Sequence, residues 1–139
     1  MRLLYCLLIL LAGLPLLAQE SKPISQLPFS AARKAGNTLY LSGSVARRPD
    51  GSDAKESVAA ETHQVMQNLA RVLKKHGYSF DDVVKATVYL QDIGDYTEMN
   101  KAYATYFKKG KYPARECVGG VKLVFGFKTE ISMIAYKEP

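Results

Sequence analysis

The 139-residue sequence predicts one α/β domain of the mixed, α+β kind, in the order β-β-α-β-α-β-β. Two observations carry that reading. Short runs at Thr38–Val45, Val84–Leu90 and Lys128–Tyr136 alternate polar and apolar residues, the period of a half-buried strand. Two longer runs, from Asp53 to His76 and from Asp95 to Gly110, repeat their apolar residues at the period of a helix. Strands alternating with helices favour one mixed sheet with both helices on one face.

Each element has its own signals. Phe29 to Lys34 reads as a first strand, and Gly36-Asn37 as the turn into the second, which ends near Gly43. Pro49-Asp50-Gly51 is another turn. The first helix shows Val58, Thr62, Val65, Met66, Leu69, Val72 and Leu73 on one face. Asp53 and Glu56 are expected to cap its start, and Lys74-Lys75 with Gly77 suit its end. Val84, Ala86, Val88 and Leu90 form the inner side of the next strand, with Asp81-Asp82 as its solvated start. The second helix opens at Asp95 and Glu98, presents Tyr96, Met99, Tyr103, Tyr106 and Phe107, and ends at Gly110. Strands at Ala114–Leu123 and Lys128–Tyr136 complete the order. Leu39, Leu41, Val88, Leu90 and the last strand offer more apolar surface than two helices hide, so an oligomer packed through the sheet is expected.

Residues 1–18 differ from the rest. Arg2 precedes an apolar run from Leu3 to Leu17, about 15 residues and short of the roughly 20 that span a bilayer. Ala18 then leads into polar sequence. This is the pattern of a secretory signal peptide cleaved after Ala18, which leaves residues 19–139 as one exported domain with no lasting membrane association. Ser21 to Gln26 reads as a short linker. Of the two cysteines, Cys6 departs with the leader and Cys117 stays as a lone thiol, buried or in a narrow site. His63 and His76 make no metal set, so no metal is expected. A cysteine nucleophile at Cys117 requires a base that only His63 offers. The net charge of +6 is scattered without interleaved aromatics, which argues against a nucleic-acid face.

The segment Tyr112-Pro113-Ala114-Arg115-Glu116-Cys117-Val118 is the most informative. Arg115 and Cys117 sit two apart, so both face one side of a strand. Glu130 lies on another strand-like run, read as a neighbour. A guanidinium is a fixed fork of donors suited to a carboxylate, and a nearby acid can handle a proton or a water. An interstrand salt bridge from Arg115 to Glu116 or Glu130 is the plainer alternative.

From about Leu27 to Lys137 the chain resembles the reactive intermediate deaminase family, also called Rid or YjgF. The resemblance rests on Leu27-Pro28-Phe29-Ser30, Lys34-Ala35-Gly36-Asn37, Ser42-Gly43, Asp81 to Lys85, Thr87 to Leu90, Met99-Asn100, Tyr106-Phe107, Pro113-Ala114-Arg115, Cys117-Val118 and Glu130-Ile131. It implies a chorismate-mutase-like homotrimer with clefts at the subunit interfaces and no cofactor. It also implies that Arg115 clamps a substrate carboxylate and that Glu130 positions or activates water. That water attacks an imine or enamine, such as 2-aminoacrylate, and releases ammonia and a 2-keto acid. Phe29, Ser42, Gly43, Asn100 and Cys117 match cleft-lining positions, so Cys117 is there a lining residue.

The chain departs from the family pattern at four places. Phe29 replaces a common Tyr, Ser44 follows the Ser-Gly pair where a Gln is common, and Val124 stands where Leu-Pro is usual. Gly119 replaces a larger residue and is expected to widen the site. Three rivals stand beside the deaminase reading. They are a carboxylate-binding protein with little turnover, an endoribonuclease and a holdase-type chaperone.

Overall fold

The computed structural model describes residues 27–139. The leader at 1–18 and the linker Ser21–Gln26 lie outside them. The expected element order is found: β1 (Ala32–Ala35), β2 (Thr38–Ser44), α1 (Val58–Lys75), β3 (Val83–Leu90), α2 (Tyr96–Ala104), β4 (Ala114–Gly119) and β5 (Thr129–Tyr136).

The strands form one sheet in the order β1-β2-β5-β3-β4. All pairings are antiparallel except β3 with β4, which run parallel through the α2 crossover. The last strand therefore inserts at the centre, between β2 and β3. One sheet face carries Leu39, Leu41, Ala86, Val88, Leu90, Ile131, Met133 and Ala135, all buried. Against it α1 lays Val58, Val65, Met66, Leu69 and Leu73, and α2 lies beside α1 with Met99 and Tyr103 buried. The opposite face has no covering element among the described residues. Tyr40, Tyr89, Val118 and Tyr136 stand on it, each at least 39% exposed.

Several boundaries moved for physical reasons. The first strand begins at Ala32, because Phe29 and Ala31 lie in bends on either side of Ser30. Helix α1 starts at Val58, not near Asp53. Asp53 is drawn away by Arg47 at 2.9 Å and Lys55 at 3.3 Å, and Glu56 by Arg48 at 2.8 Å. The cap is Ser57, whose side chain accepts from the Ala60 N–H. At the other end Gly77 (φ +78°) and Tyr78 bond back to Lys74 and Leu73, a Schellman closure sealed by buried Leu73 and Tyr78. Helix α2 stops at Ala104, so Tyr106 lies past its end, where it bonds His63 at 3.1 Å. Strand β4 ends at Gly119, well before Leu123.

Ser57→Ala is expected to lower stability by about 1 kcal/mol, the usual cost of a lost N-cap. Glu56→Ala, which removes only an exposed ion pair, is expected to cost less than half of that. Urea unfolding of the three proteins checks both; equal losses would return the cap to Glu56.

Candidate functional site

The register fixes where each candidate points. Arg115 pairs with Ala86, Cys117 with Val88 and Gly119 with Leu90, so these side chains face the helices. Glu130 pairs with Tyr89, on the uncovered face. Strand β3 lies between β4 and β5, a separation of roughly 10 Å at about 4.8 Å per strand. Arg115 and Glu130 are thus neither on adjacent strands nor on one side of the sheet. Within one protomer they cannot meet.

The candidates instead form two groups. In the first, α2 turns Tyr96, Asn100 and Tyr103 toward Arg115, a spacing of four and then three residues that keeps all three on one helical face. The Arg115 guanidinium lies 4.9 Å from the Tyr103 ring centre and 5.7 Å from that of Tyr96, whose hydroxyl accepts from it at 3.4 Å. Such faces hold a cation without neutralising it. A pocket of about 310 Å³ opens here, lined by Asn100, Tyr103, Ala104, Tyr112, Pro113 and Arg115.

Among the described residues no carboxylate pairs with Arg115. The plainer interstrand salt bridge is therefore not formed: Glu116, on the other face, pairs with Lys85 at 2.7 Å. Asn100 Oδ1 and the Tyr103 hydroxyl are buried without a hydrogen-bond partner. Burial raises the Tyr103 hydroxyl to about 12, against a smaller opposing pull from Arg115. The phenol is thus neutral and available as a donor.

Cys117 packs against the core beside this pocket. Burial pushes its thiol up, and the Arg115 charge only partly offsets that. His63 is engaged by Tyr106. A thiolate nucleophile has no support in this arrangement, and Cys117 is not among the residues that line the Arg115 pocket. Gly119 does not widen the pocket. A Cβ there would sit 2.6 Å from Ile93 Cβ and 2.9 Å from its Cα, so the missing side chain lets the Ile93 loop close in. Among the described residues no three His, Cys, Asp or Glu side chains gather as a metal set.

The second group lies around a bulge in β2. Pairing with β5 runs regularly to Leu41–Met133, then shifts so that Ser44 meets Ile131. The extra backbone at Ser42-Gly43 bows out. The Ser42 hydroxyl donates to the Ser30 carbonyl at 2.6 Å, which ties in the bend holding exposed Phe29. Glu130 lays its carboxylate over Gly43: a Cβ there would fall 2.0 Å from Glu130 Oε1. Ser42, Gly43 and Glu130 are thus brought together, apart from Arg115, Asn100 and Cys117, while Phe29 lies nearer Lys75 and His76 at the end of α1.

Sequence reasoning missed Tyr96 and Tyr103 as partners of Arg115 and read both only as part of the aromatic face of the second helix. Tyr103 is core as well, only 4% exposed. The available signal was the shared helical face of Tyr96, Asn100 and Tyr103. Glu61 was also missed. It is fully buried, and its Oε2 accepts from the Lys128 N–H at 2.7 Å and the Thr129 N–H at 3.2 Å.

A model of the Endoribonuclease L-PSP family matches residues 19–137, and the chain belongs to that family. A RutC family protein of Pyrococcus horikoshii is 43% identical over 118 residues, covering 84% of this chain and 91% of that one. The 2-iminobutanoate/2-iminopropanoate deaminase of Mus musculus is 38% identical over 113 residues, covering 81% and 83%. The crystal structure of RidA from the Antarctic bacterium Psychrobacter is similar at a TM-score of 0.77 and 33% identity, covering 83% and 93%.

Two predictions follow from these contacts. Gly43→Ala must push the Glu130 carboxylate aside while leaving the buried face intact, so its crystal structure is expected to show a displaced Glu130 on an unchanged sheet. An unmoved Glu130 would refute the contact. The second concerns pH. Burial raises the Glu61 carboxyl above its ordinary 4.5, against the opposing pull of its two backbone hydrogen bonds. A raised folded value means that the folded state binds the extra proton. The stabilisation is therefore full below about 4.5 and is lost as pH climbs through the folded value. Glu61→Gln, which cannot ionise, is expected to lack that loss when melting is compared across the range.

Proposed function

We propose that this protein is a cofactor-independent deaminase that hydrolyses enamine/imine intermediates of 2-amino acids to 2-keto acids and ammonia. We propose further that it works as a homotrimer with sites between subunits. The observation that carries the reading is the split of the site. A carboxylate-free arginine waits at one pocket on the helix side, and a carboxylate over a glycine bulge waits on the uncovered sheet face. A second copy whose uncovered face meets the first brings one protomer's Arg115 to another's Glu130. The exposed Tyr40, Tyr89, Val118 and Tyr136 give that contact apolar area. The activity named for the mouse relative is of the same kind.

In this mechanism Arg115 grips the substrate carboxylate with its two-pronged donor. Glu130 takes a proton from water as the hydroxyl adds to the imine carbon and the C=N electron pair moves to nitrogen. The proton returns from Glu130 to nitrogen to give the carbinolamine; Glu130 then passes the hydroxyl proton to the amine, the C–N bond breaks, and ammonia leaves as the oxygen becomes the keto group. Phe29, Ser42, Gly43, Asn100 and Cys117 line the cleft. The leader pattern supports an exported protein.

The carboxylate-binding rival keeps the same Arg115 pocket and differs only in turnover. Ribonuclease action has less support. Arg47, Arg48, Lys85, Lys101 and Lys108 are each engaged by a carboxylate, which makes a poor track for phosphates.

Arg115→Lys and Glu130→Gln are each expected to lower kcat/KM for 2-iminopropanoate at least about tenfold, the worth of a charged hydrogen bond left unmade. Melting of both variants should stay near that of the parent. Full activity in Arg115→Lys would remove the clamp, and an inactive parent would favour the binding rival. Light scattering is expected to give three times the monomer mass, and a monomer at micromolar concentration would dismantle the shared site.

A further inference from the structure

We propose that Glu61 is a positioning residue for Glu130, one that replaces a missing stretch of β-ladder so that the glycine bulge can open beside the reacting carboxylate. The inference rests on the deaminase reading for its kinetic consequence but not for its geometry.

Strand β5 is flanked on one side by β3, which pairs with it as far as Leu90–Thr129 and is followed by a bond from the Gln91 N–H to the Lys128 carbonyl at 2.9 Å. On the other side β2 pairs only as far as Ser44–Ile131. Beyond that point β2 has turned away through its bulge. The Thr129 N–H has lost its strand partner in the interior of the protein, where an unpaired donor is costly, and the half-buried Lys128 N–H, in the bend just before β5, meets no backbone carbonyl among the described residues. One oxygen of Glu61, reaching from α1, accepts from both.

The next residue is Glu130. Backbone rotation at Thr129 decides where Glu130 projects, because successive strand side chains point to opposite faces. Thr129 is fully buried on the helix side, so its fixed backbone aims Glu130 at the uncovered face and over Gly43. The approach to the strand is held from the same stretch of chain, since Lys55 Nζ donates to the Phe125 carbonyl at 2.6 Å.

A purely stabilising role fits less well. Glu61 Oε1 and Thr129 Oγ1 are buried without partners among the described residues, and no cation forms a salt bridge with Glu61 there. An ionisable side chain with half its acceptors unused is a poor choice for stability alone. Its value lies in the oxygen that two backbone donors share.

The test uses the full protein with Glu61→Gln, Glu61→Leu and Glu61→Asp. Glu61→Gln keeps the accepting oxygen and should retain the parent's amide exchange at these two positions and its kcat, differing only in the pH dependence of melting. Glu61→Leu fills the space without an acceptor, and Glu61→Asp withdraws the acceptor by one methylene. Both are expected to speed amide exchange at Lys128 and Thr129 about tenfold. Both should lower kcat on 2-iminopropanoate by about the same factor, with KM within about twofold because Arg115 is untouched.

The Glu130 carboxyl carbon, followed by NMR, should change its chemical shift in these two variants and not in Glu61→Gln, because the carboxylate leaves its place over Gly43. If Glu61→Leu fails to fold, Glu61→Asp decides. Lowered melting with unchanged kcat and an unchanged Glu130 chemical shift would reduce Glu61 to a structural group and overturn the proposal. If the parent protein itself has no turnover, the deaminase reading fails alone, and the exchange and chemical-shift results still decide the positioning role.

Discussion

The alternation of a β-strand is the constraint on which this molecule turns. Once β5 inserts between β2 and β3, every odd residue from Thr129 to Ala135 enters the core and every even one faces away from the helices. Glu130 is thereby committed to the uncovered face. The parallel pairing of β4 with β3 commits Arg115 to the helix face with equal firmness. A one-residue slip in either strand would reverse its whole pattern, and the buried Ile131, Met133 and Ala135 on β5, with Ala86, Val88 and Leu90 on β3, forbid it. The core, not the site, decides where the two functional groups point.

Each group then needed a local device. Arg115 leaves its own strand for a helix face and is held by aromatic rings that carry no charge of their own. Tyr103 and Tyr96 restrain the guanidinium through their faces and one hydroxyl. A carboxylate would have bound it more tightly and also occupied it. A neighbouring acid exists in Glu116, but the same alternation sends it to the other face, where Lys85 meets it. Glu130 required space rather than restraint, and the Ser42-Gly43 bulge supplies it.

Much of this was legible in the sequence, because periodicity and punctuation are local. The period-two runs located β2, β3 and β5, and the helix stripe together with Lys74-Lys75 and Gly77 located α1 and its end. The shared side of Arg115 and Cys117 followed from their spacing. What was not legible depends on strand order. Nothing near Glu130 says that β5 enters the sheet between β2 and β3, so Arg115 and Glu130 read as neighbours when β3 separates them. The N-cap was mistaken because Asp53 and Glu56 look like caps until Arg47 and Arg48, brought back by the Pro49-Asp50-Gly51 turn, claim them. Glu61 sat unnoticed in the α1 stripe because its partners lie 67 and 68 residues away.

The same logic explains why the candidate site looks incomplete from inside one chain. A single sheet has two faces, and its core fills only one of them. A proposed catalytic pair drawn from both faces cannot close within the protomer, whatever the loops do. It closes if the bare face of one copy covers the pocket edge of another, and a bare face rich in tyrosine suits such contact. The apolar surface that two helices fail to cover and the chemical groups that one chain fails to unite are then one problem with one answer. In the proposed assembly, burying the first between copies would assemble the second, and the binding energy spent on assembly would also set the distance between the proposed clamp and base.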